Sequence, residues 1–104
     1  MKKINAFEDI IAWQKARLFN KSIYTITNKN FVNDFDLIRQ IRSASISILS
    51  NIAEGFERNT NKEFIRFLFG AKASVGEVRS QLYLALDLNY LTQQEFGQLS
   101  SEIN

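Results

Sequence analysis

The sequence predicts an all-α protein: an antiparallel up-down-up-down four-helix bundle whose fourth helix is short or truncated. Three observations predict it. The 104 residues include no proline and four glycines, and proline is the residue that breaks helix interiors. Four cap-forming side chains are each followed three positions later by an acid: Asn5 with Glu8, Asn33 with Asp36, Thr60 with Glu63, and Thr92 with Glu95. In such pairs the cap accepts a bond from a free amide of the first turn and the acid reaches back to the cap's own amide. Between these starts, apolar residues recur at steps of three and four, the period of one helix face.

Helix 1 is expected from about Ala6 to about Asn28, with Phe7, Ile11, Leu18 and either Phe19 or Tyr24 on its buried side and Trp13 broadening the stripe. The run Asn28-Lys29-Asn30 ends it, and Phe31 is expected to fold back onto the bundle. Helix 2 spans about Asp34 to Arg58, on the face Leu37, Ile41, Ala44, Ile48, Ile52. Helix 3, about 61 to 89, carries Phe64, Leu68, Ala71, Val75, Val78, Leu82 and Ala85 at alternating steps of four and three. That is the seam of helices packed side by side at roughly 20 degrees. Asn89-Tyr90-Leu91 closes it. Helix 4 covers about 93 to 104, with Phe96, Leu99 and Ile103 apolar. So short a helix is a poor fourth partner, and we expect a natural chain that continues, or an end that is truncated or frayed. Links this short make sequential helices antiparallel.

The whole chain reads as one domain, since an apolar fraction of 45% with 23% charged residues is ordinary for a globular protein. Nine phenylalanines are more than so small an interior holds, which points to an interface between copies. Without cysteine there is no disulfide or thiolate metal site, and without histidine the usual general base and the commonest metal ligand are missing. The start Met1-Lys2-Lys3-Ile4 looks like a signal peptide, but Asn5, Glu8 and Asp9 interrupt it. No run approaches the roughly 20 apolar residues of a membrane span, so a cytoplasmic location is expected.

A second, polar stripe accompanies the apolar one. On helix 2 it comprises Ser43, Ser47, Ser50 and Glu54, with Asn51 one turn after Ser47; helix 3 answers with Gly70, Ser74, Glu77 and Gln81. Small residues let two backbones approach, and their polar groups then bond across the gap. The plain reading is a satisfied packing or interface seam. The sharper one is a site on Asn51, Glu54 and Glu77, two of them carboxylates of the kind that hold Mg²⁺. A carboxylate di-metal bundle uses Glu-x-x-His on two helices, which this chain lacks, so no metal or cofactor is expected. Arg39, Arg42, Arg66 and Lys72 are the candidate phosphate contacts. The net charge of only +2, with Glu57, Glu63 and Glu77 interspersed, suits a solvated surface equally well.

The segment Gln40-Ile41-Arg42 through Ser47-Ile48, then Ser50-Asn51-Ile52-Ala53-Glu54-Gly55, resembles the signature of the 23S rRNA-intervening-sequence protein family. The similarity extends to Phe7, Trp13, Lys15-Ala16 and Tyr24, and on to Arg58, Glu63-Phe64, Phe67-Leu68, Ala71, Ser74, Glu77, Gln81-Leu82 and Ala85. Departures are Arg42-Ser43 where the family often has two arginines, Leu49 where it has proline, and Ala73-Ser74 where it has Gly-Ser. The family also often has a proline after its equivalent of Phe31, and it runs longer at the C-terminus. The resemblance implies a four-helix bundle assembling into a ring, typically a homopentamer. It also implies distant likeness to the accessory protein of diversity-generating retroelements, a basic barrel that binds a reverse transcriptase and nucleic acid. We therefore expect a non-catalytic, ring-forming adaptor for structured RNA or a nucleic-acid enzyme. The alternatives are a purely structural protein–protein assembly module and a metal-dependent nuclease on Glu54 and Glu77.

Overall fold

The computed structural model describes residues 4–103. A single 3-10 turn, Phe7–Asp9, precedes four helices: α1 Ile11–Asn30, α2 Phe35–Glu57, α3 Asn61–Asp87 and α4 Gln93–Ile103. Among the described residues there is no strand. Each helix packs on its sequence neighbours and α4 returns to α1, while the backbones of the diagonal pairs α1–α3 and α2–α4 stay apart. The result is an elongated antiparallel bundle of 45 × 24 × 18 Å, its length set by the 27 residues of α3 at about 1.5 Å each.

The capping chemistry decides where three of the helices begin. Thr60 Oγ1 accepts from the Glu63 amide at 3.2 Å, starting α3. At α4 the box is reciprocal: Thr92 Oγ1 accepts from the Glu95 amide at 3.1 Å, and Glu95 accepts from the Thr92 amide at 2.9 Å. The other two expected caps are displaced. Asp34, not Asn33, caps α2 by accepting from the Leu37 amide at 3.2 Å, because Asn33 occupies the left-handed region at φ 62°. Asn5 and Glu8 cap nothing: the chain makes one 3-10 turn and extends at Ile10, whose side chain cannot accept a bond, before α1 begins. Helix 1 therefore starts five residues later than its periodicity suggests. Asn59 and Asn89, both at φ 63°, reverse the chain after α2 and α3, a conformation asparagine tolerates better than most side chains.

The core is one cluster. Ile41, Ile48 and Ile52 of α2 face Ala71, Val78, Leu82 and Ala85 of α3, and Phe19 and Ile23 of α1 close over them. The α2 face is the expected one. The expected α1 face is right only in part: Phe19, one of the two alternatives named, is buried and Trp13 packs on the core, but Ile11 and Leu18 are about two-thirds exposed and Tyr24 is exposed too, while Ala16, Asn20, Ile23 and Thr27 are buried. The true stripe contains two polar residues, so hydrophobicity alone points one side round from it. Phe31 folds inward as expected, fully buried, with its ring 5.2 Å from that of Tyr90.

Helices α2 and α3 form the most extensive contact in the molecule. Gly55 makes their turn end possible: a Cβ there would lie 2.6 Å from Phe67 Cβ, at the rigid root of a side chain. Gly76, by contrast, sits on the exposed face of α3 with nothing within 4 Å of such a Cβ. The two glycines are expected to respond oppositely to alanine. Gly55→Ala should destabilise by about 1–3 kcal/mol through forced separation, and Gly76→Ala should stabilise by about 0.5–1 kcal/mol through helix propensity. Urea unfolding followed by circular dichroism measures both.

Candidate functional site

The polar stripe divides when the helices pack. Ser74 Oγ donates to Ser47 Oγ across the α2–α3 contact at 2.9 Å. Asn51 Nδ2 donates to Ser47 Oγ at 3.0 Å and to the Ser47 carbonyl at 2.8 Å. A Cβ on Gly70 would lie 2.9 Å from Asn51 Oδ1, so the glycine admits the amide. Ser47, Asn51, Gly70 and Ser74 thus form one closed seam, the packing role expected of the stripe. The remaining members stay outside it. Ser43, Ser50, Glu54 and Glu77 are exposed; Glu54 pairs with Arg58 on its own helix at 3.2 Å. Gln81 Nε2 lies 3.5 Å from Glu77, a contact at the outer limit of a hydrogen bond. Neither Glu54 nor Glu77 belongs to a group of three or more acids that would hold a metal ion among the described residues.

The four cationic candidates fall in three places. Arg42 is half-buried between α1 and α2: its Nε donates to Thr27 Oγ1 at 2.9 Å and its Nη2 to Asn28 Oδ1 at 2.8 Å. Its guanidinium also stacks 4.3 Å from the Tyr24 ring. Those bonds make it a clamp between helices. Arg39, one turn earlier, is exposed and pairs with Asp36 at 2.8 Å; with Arg42, Tyr24 and Ile46 it borders a shallow hollow. Arg66 lies at the α2–α3 turn, 2.6 Å from Glu63. There it and Arg58 flank the Phe67 ring at 4.7 and 5.1 Å. Lys72 stands apart on the α1–α3 side. The charges of Arg39 and Arg66 are each offset by a neighbouring acid, and exposed pairs of this kind hold a side chain only weakly.

Several polar anchors went unrecognised in the sequence. Asn20 is buried on α1, and its Nδ2 donates to the carbonyls of Ala16 and of Ser45 on α2, both at 2.9 Å. Tyr90 donates to Asp34 Oδ2 at 2.9 Å, tying the α3–α4 link to the start of α2. Asn30 donates to both oxygens of Glu95 at 3.1 and 3.2 Å, joining α1 to α4. Apart from the Ala16 carbonyl, each partner is distant in sequence, between 25 and 65 positions, so spacing carried no sign of them. The Asp34 carboxylate raises the Tyr90 pKa above its ordinary value, first through the hydrogen bond. The Glu95 carboxyl is lowered, first by the Thr92 backbone bond and then by Asn30.

A closed polar seam and a clamped arginine on a short-loop, all-helical chain define a four-helix-bundle protein. More narrowly, the chain belongs to the 23S rRNA-intervening sequence protein family, whose model matches residues 8–104. A search of curated proteins found no match. Among the described residues no helix is long and apolar enough to cross a membrane.

Two outcomes are expected. Arg42→Ala should lower stability by about 1–3 kcal/mol, whereas Arg39→Ala should fall within about 0.5 kcal/mol of the native protein; thermal unfolding measures both. Glu95 has a lowered folded-state pKa, so its contribution is present above the ordinary glutamate range and is lost as pH falls through the lowered value. The α4 amides should then exchange faster with solvent in that acid window, and Glu95→Gln should flatten this dependence, as measured by hydrogen exchange.

Proposed function

We propose that this protein is a non-catalytic, ring-forming adaptor, a homopentamer by analogy with its family, that associates with structured RNA or a nucleic-acid-processing enzyme. The observation that carries the self-assembly is the apolar surface. Thirteen large hydrophobic side chains among the described residues are exposed, including Ile65, Phe69 and Tyr83 along the outer side of α3 at 52–66%. We read these side chains, three of them on one side of α3, as surface that other copies cover. Family membership supports the nucleic-acid association through the rRNA setting its name records. Arg39, Arg66 and Lys72 supply accessible cations, and a ring repeats each of them in every copy.

The second reading, a protein–protein assembly module, draws on the same apolar surface and on the acids beside Arg39 and Arg66. Light scattering should give a mass several times the 12.0 kDa of one chain, and a monomer would refute assembly. Filter binding to a structured RNA at 50 and 200 mM salt should show affinity falling steeply with salt. Arg39→Ala and Arg66→Ala should each reduce affinity by about two- to tenfold. Absent or salt-insensitive binding by a well-assembled oligomer leaves the structural module standing.

A further inference from the structure

The side of α3 turned away from the core carries a second regular seam. From Lys62 to Asp87, positions at alternating steps of four and three are all exposed, the spacing with which one helix faces another. Near its middle stands Gly76, a residue that weakens a helix interior. A Cβ there would meet nothing within 4 Å, so no contact within the chain accounts for the glycine. Gly55 and Gly70 leave room for Phe67 and Asn51. Gly76 leaves room only on the outside, where another backbone can approach.

The seam matches itself when reversed. Laid antiparallel on a second copy with Ala73 beside Gly76, it sets each position against a complementary one. Phe69 meets Ser80, so a side chain 66% exposed in one chain fills the space over a small one. Arg66, exposed beside its own Glu63, meets the ring of Tyr83, a cation against an aromatic face. Lys62 meets Asp87, and neither takes part in an ion pair among the described residues. Ile65 and Leu84, both exposed, come together beside the seam. Each of these contacts occurs twice, as two-fold symmetry requires. Parallel pairing would instead set Lys62, Arg66 and Asp87 each against its own equivalent, three contacts between like charges. The charge pattern therefore selects an antiparallel second copy, whose helix dipole is also opposed.

We propose that two copies of this chain pair through the outer sides of their α3 helices, antiparallel, with Ala73 of each beside Gly76 of the other. The contact rests on the reading that other copies cover this side of α3, and it specifies how they do so. Being two-fold, it joins copies in pairs and cannot close a ring of five by itself; in such an assembly it links one ring to another.

Light scattering and sedimentation equilibrium on charge variants test it. The native protein should have a mass that is an even multiple of 12.0 kDa and that halves on dilution. Lys62→Asp and Asp87→Lys should each raise the concentration at which it halves about tenfold, since each turns two ion pairs into two contacts between like charges. The double variant Lys62→Asp, Asp87→Lys should return that concentration to within about threefold of the native one. The two positions lie about 37 Å apart along one helix, so only an antiparallel neighbour restores the pair. Gly76→Leu should abolish the pairing while circular dichroism stays unchanged, because a Cβ at this position meets nothing in its own chain. Single variants without effect, a double variant as weak as the singles, or a Gly76→Leu protein of native mass would each overturn the pairing. So would a native mass that is an odd multiple of one chain's, which leaves assembly through other surfaces standing. A native monomer would overturn both.

Discussion

The structure depends on the close approach of α2 and α3. Two helices of 23 and 27 residues come together over a strip of small side chains, and the polar groups in that strip are satisfied by one another. Ser47 and Ser74 bond across it, Asn51 folds back onto Ser47, and Gly70 and Gly55 leave room for Asn51 and Phe67. A larger residue at either glycine would push the helices apart and separate the two hydroxyls, exposing the isoleucine face beneath. The energetic weight of the seam lies in this coupling: buried polar atoms are costly when unpaired and specify one register when paired.

On that pair the other helices are fastened by polar anchors at defined heights. Arg42 grips Thr27 and Asn28, Asn20 reaches the Ser45 carbonyl, and Asn30 holds Glu95. These contacts set the register of α1 against α2 and α4 more specifically than the alternating aliphatic side chains do. They also explain why Arg42 has a structural task. A guanidinium already committed to two acceptors and an aromatic face is less free than the other three cationic candidates, Arg39, Arg66 and Lys72, which are exposed.

The same geometry separates the surface into zones. The outer side of α3 presents Ile65, Phe69 and Tyr83, the α2–α3 turn presents two arginines astride Phe67, and the α1–α3 side presents Lys72. The bundle separates these zones because each helix shows a different face to solvent.

By itself the sequence determined the class of fold, the core faces of α2 and of most of α3, and the starts of α3 and α4. Periodicity and capping act between residues a few positions apart, so they are written along the chain. The Ser-Asn-Ile-Ala-Glu-Gly segment also carried the family, which the match over residues 8–104 bears out. Only the tertiary structure decided which side of α1 is buried, because Asn20 and Thr27 are interior solely through bonds to their own helix and to α2. It alone decided that the polar stripe splits into a closed seam and members left outside it, the half-buried Gln81 among them, and that the four cationic candidates lie in three places. Helix rotation and the pairing of distant side chains arise when whole faces meet, and no local spacing encodes where a neighbouring helix will stand.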